Sequence, residues 1–554
     1  MSASASARKP EVFTRKASGL VRVMSPYSAF VYNILTMGLI FPWTYLWAPG
    51  ALPGGNLVWG ILLATLIEIP IALAYVWLST ALPRSGGDYV FQSRVFGGGV
   101  AFTVVMSGFV IWILQWVALS GWLVSYLGFA PLFLGLGATM GNAAFSSLGV
   151  WFTTANGIIV VSLLNAALAL GVLVSGFKNY VNFQHVMWWA TLLAFAVMFF
   201  VLFTTPAAEF VTRLNAFSVA SGGSADFYQT AVKAVTDAGI DLKPPFSLMA
   251  TLLIAPIAWT SLQWATYSAQ QNGEIKDARS FRSQSFIMVG SLIVTGVLLA
   301  LLAVGIERVA GSEFLYVAGA GYWSLIGEAT INGFYLWPNM IAVALSASPI
   351  VVLIIGLGYI LNGFQIVCNC YIGMTRVLVA MSLDRLLPEW FSKVSDRLHT
   401  PVNAHIAYFL ASIPVILAYN LVPGWVGLTL GVTFGCGYVF VVTCLAGALM
   451  PYRAKELYEA SPGARYKLGG IPMVTVMGLL GGVLGILMVL AFLLNPALGV
   501  LGNWNFESFP VNLWAQIIAF AIIFISGLVY MWFKNSQKAK GINVEYAFKE
   551  IPPE

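Results

Sequence analysis

Only 9% of the 554 residues are charged and 59% are hydrophobic, with a mean hydropathy of +0.85; water-soluble domains carry about 25% charged residues. That balance excludes an ordinary soluble enzyme or binding module. Apolar runs of about 20 residues or more indicate helices crossing a membrane, not a barrel of short alternating strands.

In chain order, the N-tail 1–26 carries Arg8, Lys9, Arg15, Lys16 and Arg22. No cleavage site follows the first apolar run, which is expected to remain as span 1. Apolar runs and breakers together predict twelve spans, near 27–48, 57–81, 98–127, 153–175, 186–206, 247–271, 284–306, 340–381, 402–421, 424–450, 471–495 and 510–533. Spans 1–5 form a first group (27–206), followed by an external stretch (207–246) and a second group of spans 6–10 (247–450). Spans 11–12 (451–533) and a C-tail (534–554) complete the chain. With the N-tail inside, 23 of the 27 Lys and Arg fall on the inner side, leaving Arg213, Lys233, Lys243 and Arg308 outside. This positive-inside bias predicts that both termini are cytoplasmic. The net charge of +6 is therefore a topology signal, and no nucleic-acid partner is expected. The stretch 207–246 reads as a partly ordered surface loop, and 307–338 as a segment with short helices over a central cavity.

Span 1 contains YNILTMGLIFPW, residues 32–43. Gly38 admits backbone angles that other residues avoid, and Pro42 removes a donor. A break there would put Thr36, Met37, Gly38, Leu39 and Ile40 at a gap between two half-helices. One offers carbonyls to a cation, the other N–H groups to an anion. A proline kink is the plainer account of span 1 alone. Span 6, however, carries IAPIAWTSLQWATYSAQQNGE over 254–274, with Ser261 and Gln263 between Trp259 and Trp264. Interrupted spans at corresponding places in two halves mark the midplane site of a transporter; a polar stripe packed between helices is the alternative. Glu68, mid-way along span 2, costs roughly 2.5–3.5 kcal/mol at that depth. It is expected to brace a broken span, carry a proton or face a cationic substrate. Cys368, Cys370, Cys436, Cys444, His185, His399 and His405 form no metal-ligand spacing and read as packing or rim residues.

Three stretches resemble one family. LPRSGGDYVFQSRVFG (82–97), GEIKDARSFR (273–282) and RVLVAMSLDRLLPEWFSKVSDRLHTPVNA (376–404) are similar to the inner-side signatures of amino acid–polyamine–organocation (APC) permeases. The resemblance implies an all-α polytopic protein of twelve transmembrane helices. Its architecture would be the leucine-transporter type, a 5+5 inverted repeat plus two C-terminal helices, with the substrate held between spans 1 and 6. It implies an amino acid or amine as substrate, Trp264 or Trp259 as an aromatic cap, and contributions from Phe109 and Trp112 of span 3 and Asn362 and Gln365 of span 8. Family members usually have a Gly-Ser/Ala-Gly run in span 1, where this chain has Thr36, Met37 and Gly38. Thr191 stands where some proton-coupled members have a lysine, and span 8 offers Asn369 and Cys370. The coupling ion, Na+ or H+, stays open at this point, and no other cofactor is expected.

The expected function is secondary active transport of an amino acid, neutral in preference, across the plasma membrane by alternating access, ion- or proton-coupled or by exchange. No nucleotide-binding P-loop occurs, so ATP is not an expected partner; the lipid bilayer is. Asp88 and Arg94 are expected to latch an inner gate, as partners of one another. A polyamine or organic-amine transporter and a substrate sensor on the same fold are the alternatives. An intramembrane enzyme would need a nucleophile–base pair or metal cluster that the spans do not supply.

Overall fold

The computed structural model describes residues 18–39, 43–422, 425, 427–498 and 511–549. It is almost wholly helical, and its one sheet among the described residues is the two-stranded hairpin Lys467–Leu468 with Ile471–Pro472. Among the described residues, eleven helices are long and apolar enough to cross a membrane. Span 1 is not among them, because it is split.

Its first half runs Pro26–Met37, started by Ser25, whose side chain accepts from the Ser28 N–H at 3.0 Å, and by proline at the first turn. It stops because Gly38 takes φ 75°, the left-handed turn that ends helices. The second half resumes at Thr44–Ala51. Ile40 and Pro42, expected at the break, lie outside the described residues.

Span 6 is interrupted differently from span 1. Leu248–Leu262 is α-helical and passes directly into a 3₁₀ segment over Gln263–Glu274. Two helical pieces meet there in a kink at Gln271 (φ −108°, ψ 19°). Long 3₁₀ runs are uncommon, because their hydrogen bonds are poorer. Neighbours support this one. The Asn33 side chain donates to the Ala265 carbonyl (2.6 Å) and accepts from the Ser268 N–H (2.9 Å). The Gly86 N–H donates to the Gln270 carbonyl (2.9 Å), and Asn272 donates to the Ser79 carbonyl (2.8 Å). The polar residues at the heart of the span, Thr260, Gln263 and Thr266, bond to carbonyls of their own helix, and the ties to spans 1 and 2 come from Asn33, Gly86 and Asn272.

Other spans keep close to expectation, with Leu57–Ala81 and Val402–Leu421 as predicted. Span 3 is longer, Gly98–Met140, and holds two π-helical turns, Met106–Ile111 and Leu123–Phe129. Span 5 starts earlier, at Phe177. The run at 340–381 divides into Pro338–Leu345 and Pro349–Leu383, since the intervening Ser346–Ser348 adopts extended backbone before Pro349. Residues 207–246 contain two helices, Phe210–Ala220 and Phe227–Asp237, where a partly ordered loop was expected. Ser312–Trp323 lies against the second half of span 1: a Cβ on Gly50 would meet the Gly319 carbonyl at 2.5 Å, and Trp47 stacks on Trp323 at 5.7 Å. Large apolar side chains such as Trp59, Leu66, Phe200 and Phe524 are left exposed around the bundle, as lipid-facing positions would be.

Candidate functional site

The first half of span 1 packs against the 3₁₀ segment of span 6, which carries one centre of an aromatic cluster. Trp264, at the start of the 3₁₀ segment, is ringed by Phe109 (6.1 Å between centroids), Trp116 (5.8 Å), Tyr267 (5.3 Å) and Phe440 (5.9 Å). Its indole N–H is spent on the Thr260 carbonyl at 3.0 Å, so the ring presents apolar faces. Met37 and Leu39, at the end of the first half-helix, are buried. Helix ends carry unpaired groups: the Pro26–Met37 half ends in carbonyls at the gap, and the Thr44–Ala51 half begins there with N–H groups.

Sequence reasoning selected Phe109 and Trp264, which the fold brings together. Trp112 is buried, but the span 3 ring beside Trp264 after Phe109 is Trp116. Trp259 does not touch Trp264 ring to ring but packs edge-on against Phe440 at 6.3 Å. It is fully buried and donates its indole N–H to Glu68 Oε2 at 2.6 Å. Glu68 thus meets span 6 through a side chain and not through bare amides. Ser261 and Gln263 are buried on the same helix, with Gln263 donating to the Thr260 carbonyl at 3.3 Å.

Span 8 contributes on the other side of span 1. Asn362 donates to the Leu35 carbonyl at 3.3 Å, and Asn369 donates to the Thr36 hydroxyl at 2.6 Å. Gln365 donates to Asn369 Oδ1 (2.9 Å) and to the Tyr180 hydroxyl, which joins Gln184 of span 5. Thr191 of span 5 is buried, and its hydroxyl has no partner among the described residues. Asn33, Tyr180 and Gln184 were missed. Asn33 stands one position into the quoted span 1 motif, and a lone amide in an apolar run was the available signal.

Several polar atoms near the break are buried without a partner among the described residues: Trp116 Nε1, Gln263 Oε1, Tyr267 Oη, Asn362 Oδ1 and Gln365 Oε1. Native interiors leave few such atoms, and each calls for a reason.

Charged side chains are buried in pairs at one end of the bundle. Asp88 and Arg94 are both there, but they are not partners. Arg94 donates to Asp384 at 2.9 and 3.3 Å, and Asp88 accepts from Tyr75, Thr443 and Gln270. The two face different neighbours because they lie six positions apart on the helix Gly87–Phe96, about 240° around it. Burial raises the Asp88 carboxyl above its usual range, and the three donors offset part of this. Beside them Arg376 grips Glu274 through two hydrogen bonds (2.7 and 2.8 Å), both side chains fully buried, and also donates to His405 at 3.2 Å. The SGG motif packs at this end. Gly86 (φ 100°) and Gly87 (φ 32°) take positive angles, and a Cβ on Gly87 would meet the Ala269 backbone at 2.9 Å.

The fold and site define a polytopic membrane transporter, with a broken helix beside an aromatic cluster. A family model described as amino acid permease matches residues 27–523, and the chain belongs to that family. It is an APC-superfamily permease and not an enzyme. It is 23% identical over 442 residues to the branched-chain amino acid permease BcaP of Lactococcus lactis subsp. cremoris (strain MG1363), covering 77% of this chain and 81% of that protein. It is also 32% identical over 102 residues to uncharacterized protein 399 of Sulfolobus islandicus rod-shaped virus 1, a match spanning 17% of this chain and 26% of the viral protein.

Proposed function

We propose that this permease moves a neutral, apolar amino acid across the plasma membrane by alternating access, through twelve crossings with both termini cytoplasmic. The observation that carries this reading is the break at Gly38 beside the enclosure of Phe109, Trp116, Trp264, Tyr267 and Phe440. A zwitterion suits it: the ammonium group meets the carbonyl end of Pro26–Met37, the carboxylate meets the N–H end of Thr44–Ala51, and the side chain enters the aromatic enclosure. No charged side chain lines that enclosure, and Glu68 is turned to Trp259, which disfavours a cationic amine. The branched-chain specificity in the relative's name points the same way.

In this reading the enclosure is closed on both sides, by Ser312–Trp323 outside and by the Arg94–Asp384 and Arg376–Glu274 pairs inside. Spans 1 and 6 rock together, since Asn33 ties them. Counterflow of labelled leucine in proteoliposomes, competed by a panel of amino acids and amines, tests this. Leucine, isoleucine and valine are expected to compete and putrescine not to. Competition by putrescine alone would replace the amino acid reading, and thermal stabilisation by leucine without counterflow would make the chain a sensor.

A further inference from the structure

The described residues contain four fully buried acids: Glu68, Asp88, Glu274 and Asp384. Three are compensated. Glu274 has the Arg376 guanidinium, Asp384 has Arg94 and the Tyr89 hydroxyl, and Asp88 has three side-chain donors. Glu68 differs. It lies deepest, near the middle of Leu57–Ala81, and its one hydrogen bond is from the Trp259 indole to Oε2. Oε1 is buried with no partner among the described residues. An ionised carboxylate presents about four lone-pair sites to donors, and a single neutral N–H leaves a mid-bilayer anion largely uncompensated.

The surroundings supply no cation. Residues 248–262 of span 6 and 473–494 of span 11, both packed on span 2, contain no charged residue. Span 7 carries charge only at its two ends, Arg282 at one and Glu307 and Arg308 at the other, where Arg308 is bonded to the Leu202 and Thr205 carbonyls. Span 10 packs on span 2 and brings the fully buried Cys444. Tyr75, two turns along span 2, and Thr443, next to Cys444, both donate to Asp88.

We infer that Glu68 is a proton-binding site of the transport cycle, carrying a proton in the closed state with Trp259 as its positioning residue. This rests on the transport reading above. The carboxylate takes one H+ when the site communicates with the outer solution and gives it up when the inner end opens. The route inward passes Cys444 and Thr443 to Asp88, whose bond to Gln270 couples it to the 3₁₀ segment of span 6. No covalent bond changes except the O–H, and one charge crosses with each neutral zwitterion.

The test uses the full-length protein in proteoliposomes with leucine as probe. In the wild type, an imposed inward proton gradient is expected to drive leucine accumulation, with stoichiometric alkalinisation outside. E68Q is expected to lose both while still showing a leucine-dependent thermal shift. Infrared spectroscopy gives an independent readout: a protonated-carboxyl carbonyl band at pH 7 in the wild type, absent in E68Q and shifted but retained in W259F. Accumulation indifferent to the gradient, gradient-driven uptake surviving in E68Q, or a band unchanged by E68Q would each overturn the proposal. Absence of counterflow for every amino acid, with the band present and lost in E68Q, would overturn the transport reading and leave the proton site standing.

Discussion

Asp88 receives hydrogen bonds from three elements: Tyr75 of span 2, Gln270 of span 6 and Thr443 of span 10. D88A would strand three buried donors, each costing about 1–3 kcal/mol, and is expected to lower the thermal midpoint sharply. D88N is expected to be milder, because Gln270 can turn its amide and offer the unpartnered Oε1 to the new side-chain N–H. Burial raises this carboxyl, so the fold favours its neutral form. Its contribution is fully present below the unfolded value and fades as pH rises through the raised folded value. D88N should flatten that part of the stability-versus-pH curve, read by thermal unfolding across a pH series. The choice of Asp88 and Arg94 was legible in the motif after span 2. Their partners were not, because Gln270, Thr443 and Asp384 are 182, 355 and 290 positions away.

Between elements, closure depends on ties that cross from one span to another. Removing one member of a buried ion pair costs about 3–5 kcal/mol, whereas removing both leaves no lone charge. E274Q and R376M are each expected to destabilise strongly, with the double variant well short of their sum in a thermal-unfolding cycle. The C-tail packs onto this end. Phe548 covers Gly98, where a Cβ would meet the ring at 2.1 Å, and Arg94 donates to the Ala547 carbonyl at 3.3 Å. Deleting residues from Ile542 onward should therefore speed proteolysis near Arg94 and lower the thermal midpoint. F548A is expected to do the same to a smaller degree, and identical digestion patterns would refute the docking.

For the molecule as a whole, the alternating access proposed above requires the end bearing the buried ion pairs to open. Met24 pairs with Ile275 in a parallel bridge, flanked by the Met24 N–H on the Glu274 carbonyl (3.0 Å) and the Lys276 N–H on the Met24 carbonyl (2.8 Å). A disulfide between M24C and I275C, made without the four native cysteines, is expected to abolish leucine counterflow, with reductant restoring it. Transport unaffected by the cross-link would place the moving boundary elsewhere. Lipid as the main solvent, the approximate spans, the break at Gly38 and the family signatures were all readable from residue order, because hydropathy and helix-ending glycine act over a few neighbouring positions. The course of span 6 was settled by Asn33 of span 1 and Gly86 of the turn after span 2, which pair its backbone, and by its own Asn272, whose side chain donates to the Ser79 carbonyl of span 2. The same holds for Glu68 finding Trp259 and for Trp116 displacing Trp112. Such outcomes belong to the tertiary structure, since a buried polar group takes whichever partner packing brings within hydrogen-bond reach, however distant in the chain.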